Sequence, residues 1–439
     1  MAAGTAREFS DVVIVGGGAS GLAAAAGLRM SSPELSVTII EKMSEPGRKL
    51  RATGSGRCNI TNTAAEGYID IMKFFSRIGL VTRAYDNGLV YPYSESAADV
   101  ADLLTARAGE LGVRIITDAA VTDVTAALPD RISDRDDRTG AVRFETGYTV
   151  KGSGKRISST YVILACGGKA GPTFGTTGDG YRIARELGHT IVTPVPVLTS
   201  IECGEWEPSH RPCAVSLAGT RTRGVVTLYK YPSGNDSEGK EIFEENGEIQ
   251  FTKYGLSGIC IFNMTRHMRY DRSKGESLGN YLITADLYPD GNIAEFLSER
   301  RDNAFPGELT DDVLRTVLKE NIAAYVLKSA SAHHDPVGGK PVGDLTDKDI
   351  RMIGEAVHGL VFHPGRLRGW KDAQATSGGV SLDEIDPGTC ESLVKEGLYI
   401  TGELADRDFP CGGYNLSNAW LTGLAAAESI AAENSRDHE

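Results

Sequence analysis

Three glycines near the N-terminus, Gly16, Gly18 and Gly21, form the pattern Gly-x-Gly-x-x-Gly. The pattern follows an apolar predicted strand and opens an alanine-rich predicted helix, and Glu41 ends the next predicted strand. In this context Gly16 permits a tight turn, Gly18 lets a pyrophosphate approach the backbone, and Gly21 brings the helix close to the sheet. Because the Glu41 carboxylate would accept hydrogen bonds from both ribose hydroxyls, the pattern predicts an unphosphorylated adenine dinucleotide, FAD or NAD.

A second glycine-containing loop, GSGRCNITN, occupies residues 54–62. Lys49 and Arg57 add positive charge along a phosphate path. Two glycine loops suit a cofactor that extends lengthwise through the protein, as FAD does. Cys58 has three interpretations: a thiol packed beside the cofactor, a redox-active thiol, or a site of covalent flavin attachment. Because no second cysteine lies nearby in the sequence, we favour the packed thiol.

Two further glycine-rich turns follow predicted strands. The strand at 161–165 runs into a glycine pair, and a later strand ends in the Gly-Glu pair 402–403. The run 412–415 then opens the last predicted helix. In flavin folds such a helix N-terminus faces the pyrimidine edge of the isoalloxazine, where its dipole favours the anionic reduced flavin.

The composition narrows the possible classes of function. A net charge of −13 argues against a protein that wraps nucleic acid or lies on an anionic membrane. No run approaches the ~18 consecutive apolar residues of a membrane span, and the N-terminus lacks the pattern of a secretion signal. The seven cysteines form no Cys-x-x-Cys pair. We therefore expect a cytoplasmic protein in a reducing compartment, without nucleic-acid or membrane partners.

The elements that must position these groups alternate between strand and helix. The order strand, helix, strand at the N-terminus is typical of a doubly wound parallel sheet, and later strand runs add a β-meander. This alternation of strands and helices stops at residue 196. Strand-like runs followed by helices then predict an inserted unit over 196–356. A buried strand and an alanine-rich helix then return, so we expect the C-terminus to complete the first sheet. The predicted domains are 1–195, 196–356 and 357–439, the outer two forming one α/β fold.

Three helices are predicted from the spacing of apolar residues. They cover 96–111, a segment that begins at Thr310, and a shorter segment that begins at Thr346. Thr310 is expected to cap its helix, since a threonine hydroxyl can accept from a free N–H of the first turn.

Two other motifs are interpreted without a role in the chemistry. The adjacent residues His333, His334 and Asp335 could suggest a metal, but neighbouring histidines point apart and no third ligand is spaced to join them. No metal site is therefore predicted. The run Tyr91-Pro92-Tyr93 is interpreted as a packing turn rather than a substrate wall.

Five motifs occur in an order that resembles a known family. They are VIVGGGASGLAAA, GRKLRATGSGRCNITN, GTTGDGYRIARELGHTI, GEIQFTKYGLSG and TGELADRDFPCGGYNLSNAWLTGLAA. Together they resemble the BaiN/YhiN-like (HI-type) bacterial flavoproteins, NAD(P)/FAD-dependent oxidoreductases, from Asp11 to about Ala427. The resemblance implies a split Rossmann-like FAD domain, interrupted by a β-barrel-like and small helical insert, and non-covalent FAD. Some members are linked to the reduction of activated C=C bonds in steroid-type bile-acid intermediates.

The resemblance also implies a set of cofactor contacts, one motif at a time. From the first two motifs they are Gly16, Gly18, Ser20, Gly21, Glu41, Lys42, Lys49, Gly56, Arg57, Cys58 and Asn59. From the later motifs they are Ala165, Gly167, Gly168, Gly402, Glu403, Gly413, Asn415 and Leu416.

This sequence departs from the family pattern where substrate should meet flavin. Lys253 stands in place of a histidine, Ile259 in place of a proline, and Ala405 lies in an altered spacer. We expect Lys253 and Tyr254 to act as proton donor or substrate anchor, because hydride addition to an enone needs a proton at the neighbouring carbon. The alternative is that both residues only shape the insert.

The lead hypothesis is a reductase in which NAD(P)H reduces FAD, and FAD passes hydride to an activated double bond of an apolar, steroid-like small molecule. With one dinucleotide fingerprint taken by FAD, the nicotinamide would dock transiently, without a Rossmann domain of its own. One alternative is a dehydrogenase or oxidase passing electrons to oxygen or a quinone. Another is an FAD-binding protein that acts on RNA or in assembly, against which the negative charge counts. The sequence predicts no oligomeric state.

Overall fold

The computed structural model describes residues 8–127, 142–207, 212–232, 239–269, 276–331 and 336–437. The chain forms two compact units, the first of Met1–Pro196 with Gln374–Glu439 and the second of Val197–Ala373. The sequence placed the second boundary at 356. It falls later in the structure because strands at Leu360–Phe362 and Pro364–Leu367 pair with strands of the second unit.

The strands, in chain order, are β1 Glu8–Val15, β2 Val37–Ile40, β3 Thr61–Asn62, β4 Thr82–Ala84, β5 Leu89–Pro92, β6 Arg114–Ile116, β7 Ala119–Ala126, β8 Phe144–Val150, β9 Ser153–Leu164, β10 Ile191–Val197, β11 Ile201–Cys203, β12 Arg221–Lys230, β13 Lys240–Phe251, β14 Gly255–Ser257, β15 Tyr281–Asp286, β16 Leu360–Phe362, β17 Pro364–Leu367, β18 Ala375–Val380 and β19 Leu398–Ile400. The helices are α1 Ala19–Ser31, α2 Arg48–Arg51, α3 Tyr68–Ile78, α4 Ala97–Glu110, α5 Asp179–Glu186, α6 Ile259–Thr265, α7 Ile293–Asp302, α8 Thr310–Leu314, α9 Glu320–Ala330, α10 Asp347–His358 and α11 Tyr414–Asp437. Within the described ranges, no helix is both long enough and apolar enough to cross a bilayer.

The first unit is built on a parallel sheet in the order β6-β2-β1-β9, and β19 adds beside β9. Every residue of β2 is buried, as expected for a parallel strand covered on both faces. On the same side of β9, β8 and β7 continue the sheet antiparallel as a meander. The predicted α/β fold, a doubly wound sheet with a meander that is completed by the C-terminal segment, is confirmed.

Two alanine-rich helices, α1 and α11, pack directly on each other in the first unit. A Cβ atom at Gly27 would lie 2.9 Å from Cδ2 of Leu424, and one at Gly423 would lie 2.3 Å from the carbonyl oxygen of Ser20. Only glycine permits so close a backbone approach at position 423, whereas at position 27 the Leu424 side chain would have to shift. The contact fixes the N-terminal half of α1 against the C-terminal segment, and both carry predicted cofactor motifs.

The second unit contains a seven-stranded antiparallel sheet in the order β16-β15-β12-β13-β14-β11-β17. Its two edge strands, β16 and β17, are separated in the chain by His363 alone. The sheet must therefore curl until its edges approach each other, which gives the barrel-like shape expected for the insert. Buried aromatic rings of Trp206, Phe251 and Phe362 pack together in its core.

The helical part of the second unit corrects one prediction. The helix expected after Thr310 is divided, since α8 ends at Leu314 and α9 begins at Glu320. The Thr310 hydroxyl does not cap the helix, because it donates to the carbonyl oxygen of Lys340 at 2.7 Å. The helix predicted to begin at Thr346 is confirmed and starts with a capping box.

Candidate functional site

The first glycine turn has the geometry that its sequence predicts. A Cβ atom at Gly21 would lie 2.1 Å from the carbonyl oxygen of Gly16, and one at Gly16 would lie 2.6 Å from that of Ala165. At Gly18 the nearest atom would be 3.9 Å away, so this residue faces open space. Gly18 precedes α1, and no side chain caps the N–H groups of that helix. The turn therefore offers an anion the free N-terminus of a helix and an uncovered backbone, which fits a pyrophosphate.

The Glu41 carboxylate is held in place by backbone groups. Its Oε2 accepts a hydrogen bond from the N–H of Gly17 at 2.7 Å, and its Oε1 accepts from the N–H of Met43 at 2.8 Å. Each carboxylate oxygen can accept a second hydrogen bond. The arrangement leaves capacity for ribose hydroxyls beside the glycine turn, and that role of Glu41 stays a prediction.

The second loop has a strained backbone. Gly54, Ser55 and Gly56 have φ angles of 57°, 57° and 88°, and Cys58 has a φ of 58°. A left-handed conformation costs a residue with a Cβ atom about 1–2 kcal/mol, and such strain clusters at ligand sites. Beside the loop, Oδ1 of Asn59 is buried without a hydrogen-bond partner among the described residues. A bound ligand that donates a hydrogen bond to this oxygen would satisfy it, so loop and amide both fit a cofactor.

Cys58 is fully buried. Burial raises the pKa of its thiol to about 12, so the sulfur carries its proton at neutral pH. Redox exchange needs a thiolate. The observation favours the packed thiol over the redox-active thiol, while contact with the cofactor stays a prediction.

Three motifs distant in sequence meet around one carboxylate. The Nζ of Lys49 lies 2.8 Å from Oε2 of Glu403, and the N–H of Thr376 donates to Oε1 at 2.9 Å. A Cβ atom at Gly168 would lie 2.4 Å both from Oε1 of Glu403 and from Oγ1 of Thr376. The structure thus gathers Lys49, Gly168 and Glu403, all predicted contacts. Thr376 was not among the predicted contacts, because its only signal in the sequence is a polar residue within a buried strand.

Two of the remaining predicted contacts lie at the carboxyl ends of the parallel strands. Ala165 directly follows β9, and Gly402 lies two residues after β19. Gly402 has a φ of 65°, and a Cβ atom there would lie 3.0 Å from Oγ of Ser20. Gly413, with a φ of 95°, would place a Cβ atom 2.6 Å from the carbonyl carbon of Thr61. Ligands of doubly wound sheets bind at this edge.

Three predicted contacts have side chains engaged within the chain. Lys42 forms an ion pair with Asp179, and the guanidinium of Arg57 lies 4.9 Å from the ring centroid of Tyr91. The side-chain amide of Asn415 donates to the carbonyl oxygen of Phe409 at 2.8 Å and closes the loop before α11. Their cofactor contacts, like those of Gly167 and Leu416, stay predictions.

Lys253 and Tyr254 occupy the turn between β13 and β14 in the second unit. Lys253 is exposed, and Tyr254 is partly buried. The guanidinium of Arg368 lies 4.6 Å from the Tyr254 ring centroid and forms a 2.9 Å ion pair with Glu202. Arg368 and Glu202 could not be predicted, because Glu202 lies in β11, Arg368 directly follows β17, and neither belongs to a motif. The roles of Lys253 and Tyr254 stay predictions.

In the part of the chain that the structure describes, no group of three or more histidine, cysteine, aspartate and glutamate side chains could hold a metal ion. His333, His334 and Asp335 lie outside the described residues.

Known proteins resemble this chain over most of its length. The family model described as "HI0933-like protein Rossmann domain" matches residues 10–69 and 67–429. A 3-dehydro-bile acid delta(4,6)-reductase of Clostridium scindens is 30% identical over 96% of this chain and 99% of its own. A ribosomal RNA dihydrouridine synthase of Escherichia coli K12 is 26% identical over 98% of this chain and 100% of its own. A solved 3-ketosteroid-delta4-(5alpha)-dehydrogenase from Rhodococcus jostii RHA1 is 12% identical, with a TM-score of 0.48 and coverage of 98% of each chain.

The family resemblance carried by the five motifs is therefore confirmed. The family model spans both segments of the first unit and the whole second unit. The chain belongs to the HI0933-like family, and the prediction of an FAD-dependent oxidoreductase is confirmed at the level of that enzyme class.

Proposed function

We propose that the protein reduces an activated C=C bond of an apolar, steroid-like substrate with electrons from NADH or NADPH. The observation that carries the proposal is the 30% identity to a 3-dehydro-bile acid delta(4,6)-reductase along nearly all of both chains. Dihydrouridine, named in the second relative, is itself a uridine with a saturated C=C bond. Addition of hydrogen across a polarised C=C bond is therefore the chemistry common to both relatives.

In this proposal the first unit holds FAD, which when bound accepts a hydride from a nicotinamide and gives one to carbon. The free N-terminus of α1 and the open backbone at Gly18 bind the pyrophosphate. Glu41, already fixed by two backbone N–H groups, accepts the ribose hydroxyls. The unpartnered Oδ1 of Asn59 accepts a hydrogen bond from the cofactor. The Lys49–Glu403 ion pair holds the second glycine loop, which follows Lys49, against the end of β19, which precedes Glu403.

The second unit supplies the proton in this proposal. Hydride addition to one carbon of an enone leaves negative charge that a proton on the neighbouring carbon must quench. The Tyr254 hydroxyl or the Lys253 ammonium donates that proton. The Arg368 guanidinium stacks on the Tyr254 ring and is held by its ion pair with Glu202. In this proposal the stacking restricts the ring to one orientation.

A ribosomal RNA substrate is the second candidate, favoured by the relative from Escherichia coli. The net charge of −13 opposes it, because RNA binding depends on cations that neutralise phosphates. Electron transfer to oxygen or a quinone is the third, and it predicts rapid reoxidation in air without NAD(P)H consumption.

The test is anaerobic stopped-flow absorbance of the flavin-loaded protein, mixed separately with NADH and NADPH. We expect the flavin band to bleach with at least one nucleotide, and reoxidation by 3-oxo steroid or bile-acid enones. Reoxidation by ribosomal RNA and by no enone would instead establish the second candidate. No bleaching with either nucleotide would overturn the proposal and favour a substrate that reduces the flavin itself.

A further inference from the structure

A hairpin beside the second loop carries tyrosines and arginines on one face. In the antiparallel pair of β4 and β5, Arg83 lies opposite Tyr91. Alternate residues share a face, so Tyr85 and Tyr93 lie on this side as well. The rings of Tyr85 and Tyr91 are 5.6 Å apart, and Arg57 from the second loop reaches over Tyr91. We call these five residues the tyrosine face.

The tyrosine face is open to solvent at its outer end. Tyr91 is buried, but Tyr93 is 60% exposed and Tyr85 is 37% exposed. The strand β4 is the edge of its three-stranded sheet, so no further strand covers it. Tyr91 and Pro92 belong to β5, so this segment is the end of a strand where a packing turn was expected.

The tyrosine face also presents positive charge in an acidic chain. The guanidinium of Arg83 lies 4.2 Å from the centroid of the Tyr93 ring. Among the described residues, the Arg83 guanidinium is hydrogen-bonded to the hydroxyls of Tyr93 and Tyr85 and forms no ion pair with a carboxylate. Arg57 has an exposed side chain and forms a 3.9 Å ion pair with Glu95, whose carboxylate also accepts a hydrogen bond from the Tyr85 hydroxyl. Two guanidinium groups beside stacking rings suit a ligand that is both planar and anionic, for which the phosphates would replace Glu95 at Arg57.

The tyrosine face adjoins the predicted cofactor loop. A Cβ atom at Gly54 would lie 3.6 Å from Cε1 of Tyr91, so the loop packs on this ring. Arg57 belongs to the loop and to the tyrosine face at once. A ligand on the tyrosine face therefore lies next to the segment that would hold FAD.

We propose that the tyrosine face binds the adenosine-phosphate half of NADH or NADPH, an inference that rests on the proposed function for the identity of the donor. The adenine stacks on Tyr93 and the phosphates pair with Arg83 and Arg57. This surface gives the donor a site without a second Gly-x-Gly-x-x-Gly pattern. A single nucleotide matches two arginines, whereas an RNA chain would need a longer cationic track, which a net charge of −13 disfavours.

The test measures binding separately from reduction, using ADP-ribose titrated into the oxidised, flavin-loaded protein by calorimetry. Tyr93→Ala and Arg83→Gln should each raise the Kd by about tenfold, since one stacked base or one phosphate contact is lost. Tyr93→Phe keeps the ring and should retain the affinity. Tyr231→Ala and Arg223→Gln, exposed residues of the second unit, serve as matched controls and should have no effect.

The outcomes separate this inference from the proposed function. In stopped-flow, the same two variants should raise the NAD(P)H concentration for half-maximal bleaching and leave the limiting rate unchanged. Wild-type protein that fails to bind ADP-ribose, or variants that bind it as wild type does, would overturn the inference even if NAD(P)H bleaches the flavin. Loss of RNA binding in the variants with unchanged ADP-ribose binding would assign the tyrosine face to RNA and overturn it too. If ADP-ribose binding depends on Tyr93 and Arg83 but no bleaching occurs, the nucleotide site stands and the proposed reductase fails.

Discussion

The ammonium group of Lys49 lies 2.8 Å from the carboxylate of Glu403, a residue 354 positions later in the chain. The two side chains are only 27% and 18% exposed, so solvent screens the pair less than a surface ion pair. The contact joins α2, the short helix just before the second glycine loop, to the turn after β19, the strand that the C-terminal segment supplies. We therefore predict that cofactor binding and completion of the fold are linked through this pair.

Breaking this pair should weaken both stability and flavin retention. Among the described residues, Lys49→Met leaves the Glu403 carboxylate with the N–H of Thr376 as its one hydrogen-bond partner, and a charge-assisted hydrogen bond contributes about 1–3 kcal/mol. We expect the free energy of unfolding to fall by about that amount and FAD to dissociate more readily, measured by denaturant titration and flavin fluorescence. Arg182→Gln, which breaks an exposed helix pair, is the control. Equal effects of the two variants would contradict the link.

Alanine substitution of an outer glycine of the Gly-x-Gly-x-x-Gly pattern should lower stability, whereas substitution of the middle glycine should lower FAD affinity. Gly21→Ala places a methyl group 2.1 Å from the carbonyl oxygen of Gly16, whereas Gly18→Ala meets nothing closer than 3.9 Å. Gly21→Ala should therefore lower the Tm by several degrees. Gly18→Ala should keep the Tm of the flavin-free protein and lose FAD affinity, because its methyl occupies the space of the pyrophosphate. Circular dichroism melts and flavin content distinguish the two, and a Gly18→Ala variant that retains FAD normally would refute the placement.

Cys58 should be inert in the folded protein. Its thiol is buried with a pKa of about 12, so alkylating agents at pH 8 should leave it unmodified while they reach the partly exposed Cys411. Peptide mass mapping after brief iodoacetamide treatment makes the comparison. Cys58→Ala should retain the flavin and its reduction rate, with a modest loss of stability from the vacated volume. Loss of flavin reduction in this variant would point to the redox interpretation.

A buried histidine should make stability depend on pH. The His189 ring is fully buried between Glu384, 3.0 Å from Nδ1, and Ser392, 2.9 Å from Nε2. Burial lowers its pKa below the ordinary 6.5 despite the opposite effect of Glu384. The unfolded chain then binds the proton more readily than the folded chain does, so the contribution of neutral His189 is complete above about pH 6.5 and is lost as pH falls below it. The Tm should drop between pH 7 and 5.5, and His189→Asn should flatten that dependence. Parallel curves for wild type and variant would contradict this assignment.

The parts of the site that depend on local sequence could be predicted, whereas the contacts between residues far apart in the chain could not. The steric need for Gly16 and Gly21 follows from a strand–turn–helix sequence, and the structure reproduces it. The Lys49–Glu403 pair could not be foreseen, because it depends on where β19 joins the sheet. Thr310 shows a similar limit: a hydroxyl that suits a cap found a tertiary partner in Lys340 instead. Tyr93 was expected in a packing turn, and the structure leaves its side chain 60% exposed at the end of β5.

The order of synthesis gives the split first unit a further consequence. β9 lacks its neighbour β19, and α1 lacks its partner α11, until the whole second unit has left the ribosome. At about 5–20 residues per second this interval lasts on the order of ten seconds or more. The alanine-rich face of α1 stays uncovered during that time, which exposes the nascent chain to chaperones and to aggregation. Because Glu403 follows the whole second unit in the chain, we expect tight capture of FAD only after that unit has been synthesised, so a chain terminated before Glu403 should be colourless.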